Sequence, residues 1–489
     1  MASPGTFSDE PLSPAGRLFL QPKTELVMHC IVRTKNPIDI DAAKATVMAS
    51  LMGQHPRFCS LLVRDDNGFE HWRRTQLDID RHVIVFNNRL DKSGRFIDET
   101  GTQAFSFNEE EEEEEEMAVN QYVADLSVSS PLSTDKPLWE LHLLMAHKCV
   151  VFRIHHALGD GISMMSMLMA TCRRASDENA LPLMVPVTTG ESKGKRRRRF
   201  WFWFWFWLLG ALWEFLKMAW FTLVYVMEFS LRVCLVSDRK TVISGGDGVE
   251  LWPRKMVTAK FLLQDMKTVK KAIPNTTIND VLFGVVSSGL SRYLDHRTPN
   301  ALREGLRMTG VAMVNLRSKP GLQEISKLME DNSEARWGNR FGVILLPVFY
   351  DKAGNDPLKC LKRAKTMVDR KKSSLEAYFS YRIGDLVMKL LGSKYACLLN
   401  YRLLCNTTFT ISNLIGPLEE ITLSGNPISS IKVTTSSLPQ AITMHMLSYA
   451  GRAEMQILVA KDIIPDPEFL AKCFEDALLE MKVAAIGGK

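Results

Sequence analysis

No CxxC pair occurs among the nine cysteines of this 489-residue chain, and no third ligand stands near its one pair of adjacent histidines. Redox dithiols and zinc modules are therefore not expected, and no metal is called for. The cysteines are odd in number and sit in apolar runs such as "KCVVF" and "YACLL". That usage points to reduced thiols facing a cytosol rather than to a disulfide framework. The opening "MASPGTFSDEPLSPAG" has no apolar core, so no secretory signal peptide is expected. There is no G-x-S-x-G elbow, which leaves no serine nucleophile of the hydrolase type. No flavin, nicotinamide or nucleotide loop, no short-period repeat and no nucleic-acid module is apparent, so the reading includes no cofactor and no nucleic-acid partner.

What is present is unevenly spread. The net charge of +6 is the sum of blocks of opposite sign. Glu109 to Glu116 are eight consecutive glutamates, and Lys193 to Arg199 read "KGKRRRR". Like-charge runs repel, so the acidic one is expected to form a disordered loop over about 107–117. Directly after the basic block comes "FWFWFWFWLLGALW", Phe200 to Trp213, followed by an apolar stretch to Val236 that contains Glu214, Lys217, Glu228 and Arg232. An uncharged helix of that first part reaches only about 21 Å, short of a hydrocarbon core of about 30 Å. Three readings stand: a buried core helix, a single transmembrane helix, and a helix or helical hairpin lying in the membrane interface. Aromatics favour the headgroup level and arginines favour anionic lipid, so the interfacial reading leads.

On either side, strand-like and helical stretches mix without a regular βαβ beat. "TELVMHCIVRT", "WELHLLM" and "CVVFRI" alternate or run apolar as strands do, and so do "GVAMVNLR", "FGVILLPVFY", "FTISNLIG" and "EMQILVAKD". "TTINDVLFGVVSSGLSRYL" begins with threonines suited to cap a helix and has Asp280 three residues past Thr277. The expected fold class is α/β, with two sandwich-like domains.

The chemistry concentrates in "VFRIHHALGDGIS". "CVVFRI" predicts a strand and "ISMMSMLMATCRRAS" a helix, so His155, His156 and Asp160 fall in a strand-to-helix turn. Gly159 and Gly161 are expected to supply backbone angles that a β-carbon resists. An imidazole with an ordinary pKa near 6.5 can take a proton from a hydroxyl at neutral pH and return it. With no nucleophile beside it, the simplest use is direct base catalysis. Asp160 can orient the ring, fix the loop, or cap the following helix.

HHxxxDG resembles the signature of acyl-CoA-dependent acyltransferases with a chloramphenicol-acetyltransferase-like fold. Within them the chain resembles the plant wax ester synthase/diacylglycerol acyltransferases. "EPLSPAGRLF", "DKPLWELHLL", "TINDVLFGVVSSGLSRYL", "WGNRFG", "DRKKSSLEA", "SNLIGP" and "PQAITMHMLSYAG" look like family blocks in order, and no DFGWG motif is present. The resemblance implies two similar domains with a tunnel between them, placed at 1–190 with the motif and at 246–489; the basic and aromatic segment between them, 191–245, is expected to be a membrane-associated helical insert. It implies His156 as general base, with His155, Asp160 and Gly161 holding the loop. Asn279 and Asp280 match a further family block; Asn413 and Gly416 are expected to shape the opposite channel wall. Acyl-CoA is the implied co-substrate, with a long-chain alcohol or diacylglycerol as acceptor and membrane lipid as partner. Because the two halves must face each other across the tunnel and the acceptors live in membranes, the expected location is the endoplasmic reticulum membrane with both domains cytosolic, the plasma membrane being the alternative. Two other functions fit the residues: acylation of a smaller or phenolic alcohol, and a non-catalytic membrane lipid carrier.

Overall fold

The computed structural model describes residues 9–97, 109–182, 200–299, 301–317, 337–352 and 356–487. Period-2 alternation after Leu26 produces the strand Val27–Thr34, whose residues turn alternately to the two faces. It lies inside a seven-stranded sheet. From edge to edge that sheet runs Arg173–Arg174, Ile421–Leu423, Asn426–Thr435, Val27–Thr34, Cys149–His155, Trp139–Leu144 and Val83–Phe86. A second sheet of six strands runs Arg254–Leu262, Arg452–Ala460, Ile442–Tyr449, Phe409–Ile415, Arg307–Asn315 and Phe341–Phe349. Each sheet carries helices and its own apolar core, giving two α/β lobes.

The lobes exchange chain. Asn426–Thr435 comes from the C-terminal half yet pairs antiparallel with Val27–Thr34, placing Ile431 opposite Val32 and Thr434 opposite His29. The motif strand Cys149–His155 pairs on the other side of Val27–Thr34. Helix Ile278–Arg297 starts at a capping box in which Thr277 and Asp280 satisfy each other's backbone N–H. The C-terminal helix Pro467–Gly487 buries Leu470, Phe474, Ala477, Leu478 and Met481 along one face.

The glutamate run is not the disordered loop expected from its charge; residues 107 and 108 lie outside those described. Glu109–Ser129 forms one helix. Glutamate is a good helix former, acids favour a helix N-terminus, and cations meet the end of the run. Glu115 pairs with Arg33, and Glu116 with both Lys260 (2.8 Å) and Lys432. Burial would raise the Glu116 carboxyl, but Lys432 and Lys260 outweigh it and bring it down to about 2. A depressed carboxylate stabilises the fold fully above its unfolded pKa near 4.3 and loses that contribution as pH falls toward 2. Glu116→Gln should therefore cost on the order of 2–3 kcal/mol in urea unfolding at pH 7. The same change at exposed Glu112 should leave the midpoint within error.

The aromatic stretch is neither a buried core helix nor a hairpin. Phe200–Cys234 is one unbroken helix of 35 residues. No proline interrupts it and its one glycine, Gly210, does not break it. Leu208–Leu216 are all exposed; from Phe221 onward one face packs on the second lobe. There Glu228 pairs with Arg307 and Arg232 with Asp238. The basic block Lys193–Arg199 lies outside the described residues.

Candidate active site

The strand Cys149–His155 ends where the helix Gly161–Thr171 is about to begin, so the motif occupies the turn between two packed elements. Backbone bonds fix its start: His155 N–H donates to the Leu138 carbonyl (3.0 Å) and His156 N–H to the Leu26 carbonyl (2.8 Å). Neither Gly159 nor Gly161 takes a positive φ, so the turn does not need them for a left-handed backbone. Gly159 answers to packing: a β-carbon there would stand 2.7 Å from Met164 Cε and 3.2 Å from Ser163 Cβ. At Gly161 the nearest atoms are on the Leu414 side chain, at 3.4 Å, which is ordinary contact.

The two histidines have different surroundings. The His155 ring is buried, and its Nδ1 accepts the Ala157 N–H at 3.1 Å. Burial, and then the neighbouring His156, push its pKa down to about 3, so it stays neutral. The His156 ring lies against Phe19, with centroids 4.2 Å apart, and meets Phe341 edge-on at 5.9 Å. Asn339 Nδ2 donates to the His156 carbonyl at 2.9 Å and holds the backbone beneath the ring. Burial lowers the His156 pKa, while the Asp160 charge opposes the shift. A neutral imidazole at pH 7 is the form that can accept a proton.

Asp160 serves three elements. Its Oδ1 accepts the Ser163 N–H at 3.0 Å as the helix N-cap, and its Oδ2 accepts the Arg340 N–H at 3.0 Å. Both oxygens also take a two-pronged ion pair from Arg317, at 2.8 and 3.0 Å. Arg317 follows the second-lobe strand Arg307–Asn315 and donates further to Ser163 Oγ (3.0 Å) and the Gly338 carbonyl (2.7 Å). The pair is 4–6% exposed, so it is a dry clasp between the motif and the other lobe.

A cavity of about 660 Å³ lies between the lobes and reaches His156. Its walls are mostly apolar and include Phe19, Leu26, Phe152, Met165, Leu168, Phe341 and Leu414. Asp160, Gly161, Asn315, Arg317, Asn339, Ser412, Asn413 and His445 also border it. Of the other sequence candidates, Asn413 faces the cavity and donates to Asn279 Oδ1 at 2.7 Å, which joins the two blocks. Asp280 and Gly416 do not line it. Asp280 is buried in the capping box, and Gly416 lies against the next strand, where a β-carbon would stand 2.4 Å from the Ser448 carbonyl. Arg317, Asn339 and His445 escaped the sequence reading. Asn339 and His445 sit inside "WGNRFG" and "PQAITMHMLSYAG", but nothing in those blocks marks them as facing His156. His445 is buried, and its Nδ1 has no partner among the described residues. Burial, then His156, brings its pKa to about 4.

Comparison with known proteins agrees with this architecture. Residues 116–282 match the wax ester synthase/diacylglycerol acyltransferase catalytic domain, and residues 337–482 match the WS/DGAT C-terminal domain. Wax ester synthase/diacylglycerol acyltransferase 11 of Arabidopsis thaliana is 33% identical over 495 residues, covering 98% of this chain and 96% of that protein. Wax ester synthase/diacylglycerol acyltransferase 5 of the same plant is 35% identical, covering 97% and 94%. The solved structure of the wax ester synthase/diacylglycerol acyltransferase from Marinobacter aquaeolei VT8 covers 97% of this chain and 99% of its own, with a TM-score of 0.58 at 17% identity; it shares the fold. With both of its lobes matched and full-length relatives above 30% identity, the chain belongs to the wax ester synthase/diacylglycerol acyltransferase family of acyl-CoA-dependent O-acyltransferases.

Proposed function

We propose that the chain transfers a fatty acyl group from acyl-CoA to a long-chain alcohol, with diacylglycerol as a second acceptor, and that His156 is the general base. The observation that carries this is the His156 imidazole, its pKa lowered by burial, at the wall of a mostly apolar cavity between two lobes. The acceptor hydroxyl gives its proton to His156 as its oxygen attacks the thioester carbonyl. The tetrahedral intermediate then collapses, the C–S bond breaks, and the leaving CoA sulfur takes the proton back from the imidazolium. His155 anchors the start of the turn, and Asp160, held by Arg317, fixes it against the second lobe. Asn413 borders the cavity that reaches the base, and Asn279 accepts its hydrogen bond from outside the cavity wall. No metal or redox group enters any step.

The same reading puts the protein on the endoplasmic reticulum membrane with both lobes in the cytosol. The helix Phe200–Cys234 is long and apolar enough to contact lipid, and none of its most apolar window is buried. A perpendicular span is disfavoured by topology. The chain on either side of the helix builds one shared sheet, so both sides stay on one face of the bilayer. That sharing supports a position in the interface over a perpendicular span.

A competition assay tests the substrate class. Purified protein with radiolabelled palmitoyl-CoA is offered hexadecanol, diacylglycerol, a short alcohol and a phenol together. Hexadecyl ester should dominate, with triacylglycerol next. Predominant phenolic or short-chain ester would overturn the acceptor assignment, and lipid binding without any ester would make the chain a carrier.

A further inference from the structure

Helix Glu376–Cys405 was not singled out by hydropathy, yet it presents a face that water should not favour. Leu390 is 71% exposed, Tyr395 59% and Leu391 55%, with Tyr378, Leu386 and Leu398 exposed beside them. Every exposed charge on this helix is basic: Arg382, Lys389, Lys394 and Arg402. Its two acids are turned away. Glu376 is buried against Lys371, and Asp385 is half-buried and pairs with Lys389. Leucine and tyrosine interleaved with cations form the pattern of a helix lying at a lipid headgroup layer, and its charge complements anionic lipid. Gly392 breaks the helix at φ 81°, a backbone that suits glycine, and the exposed apolar face continues on both sides of the break.

The opposite face of this helix is a wall of the cavity. Ile383, Gly384, Val387 and Met388 recur at helical spacing along it. The aromatic helix Phe200–Cys234 supplies Phe229 and Val233 to the same wall, and Phe229 meets Phe379 edge-on at 6.3 Å across the seam between the two helices. One pair of helices thus has lipid-suited residues outside and the cavity reaching His156 inside.

We infer that helix Glu376–Cys405 is a second membrane-docking element, and that the acceptor lipid passes from the bilayer into the cavity through its seam with the aromatic helix. The passage rests on the acyltransferase reading above; the docking does not. Leu386, Leu390 and Leu391 are exposed and outside the cavity wall, so Leu386→Glu/Leu390→Glu/Leu391→Glu should leave the fold intact.

Three measurements on the full chain decide the matter. In flotation with phosphatidylcholine vesicles containing about 30% phosphatidylserine, the triple variant should bind at least about tenfold more weakly than wild type. Its rate with hexadecanol carried in those vesicles should fall by a similar factor, while its rate with dissolved butanol stays within about twofold. Unchanged vesicle binding would overturn the docking. So would a lipid-free dimer that the triple variant dissociates, since the face would then belong to a second copy. For the passage, Gly384→Phe fills open space, because a β-carbon there meets nothing within 4 Å. It should raise KM for hexadecanol and leave KM for acyl-CoA unchanged. A rise for acyl-CoA alone would show that this wall holds the acyl chain and would overturn the passage. Should wild type form no ester with either alcohol, the acyltransferase reading and the passage fall together, and flotation alone still decides the docking.

Discussion

His156→Ala should lower kcat for ester formation by about a hundred- to ten-thousandfold, the range set by loss of a positioned general base. The loss should fall on kcat, with KM for acyl-CoA little changed, because the imidazole acts on the acceptor proton and not on the thioester's binding. The ring also packs between Phe19 and Phe341, so truncation opens space in the core. His156→Gln keeps most of that volume without a comparable base and should be as inactive while unfolding near the wild-type midpoint. His155→Gln gives the contrast. His155 is held neutral with a pKa of about 3 and its Nδ1 is occupied by a backbone N–H, so its loss should appear first in stability. Stopped assays of CoA release beside urea unfolding would separate the two histidines.

The second large effect is expected at Arg317. Arg317→Ala leaves the Asp160 carboxylate buried between the lobes without its cation, and breaking a buried pair costs about 3–5 kcal/mol. Arg317→Lys should recover only part, because an ammonium cannot make the two parallel bonds of a guanidinium. Lost packing alone would lower stability and leave the titration of His156 in place. Electrostatic positioning would not. The Asp160 charge raises the His156 pKa against burial, so Asp160→Asn should move the acid limb of kcat/KM to lower pH. Arg317→Ala strips the cation from that carboxylate and should move the limb upward. Opposite displacements in the two variants would establish the clasp as part of the site; limbs that stay fixed would make it scaffolding.

Much of this was legible in the chain, and the reasons differ by element. The strands Trp139–Leu144 and Cys149–His155 followed from apolar runs bounded by turn residues, and helix Ile278–Arg297 from its capping threonine. Local rules govern those features. The pairing of Asn426–Thr435 with Val27–Thr34 joins residues about 400 positions apart in the chain, and no local pattern announces it. The glutamate run misled because its order comes from distant cations, Arg33, Lys260 and Lys432. Arg317 was missed for the same reason: its partner Asp160 lies 157 residues earlier. Helix Glu376–Cys405 escaped because its leucines are spread among cations, which hides an apolar face from any averaged hydropathy.

The most direct test of His156 as the base is the pH dependence of kcat/KM, which reports the ionisation of the free enzyme. Burial lowers the imidazole's pKa, so the neutral ring persists below pH 6.5 and protonates only on further acidification. Wild type should hold a plateau from about pH 6.5 to 8 and fall along a single acid limb below it, and the residual rate of His156→Gln should lack that limb. A limb centred above 6.5, or one that survives in His156→Gln, would show that another group takes the hydroxyl proton.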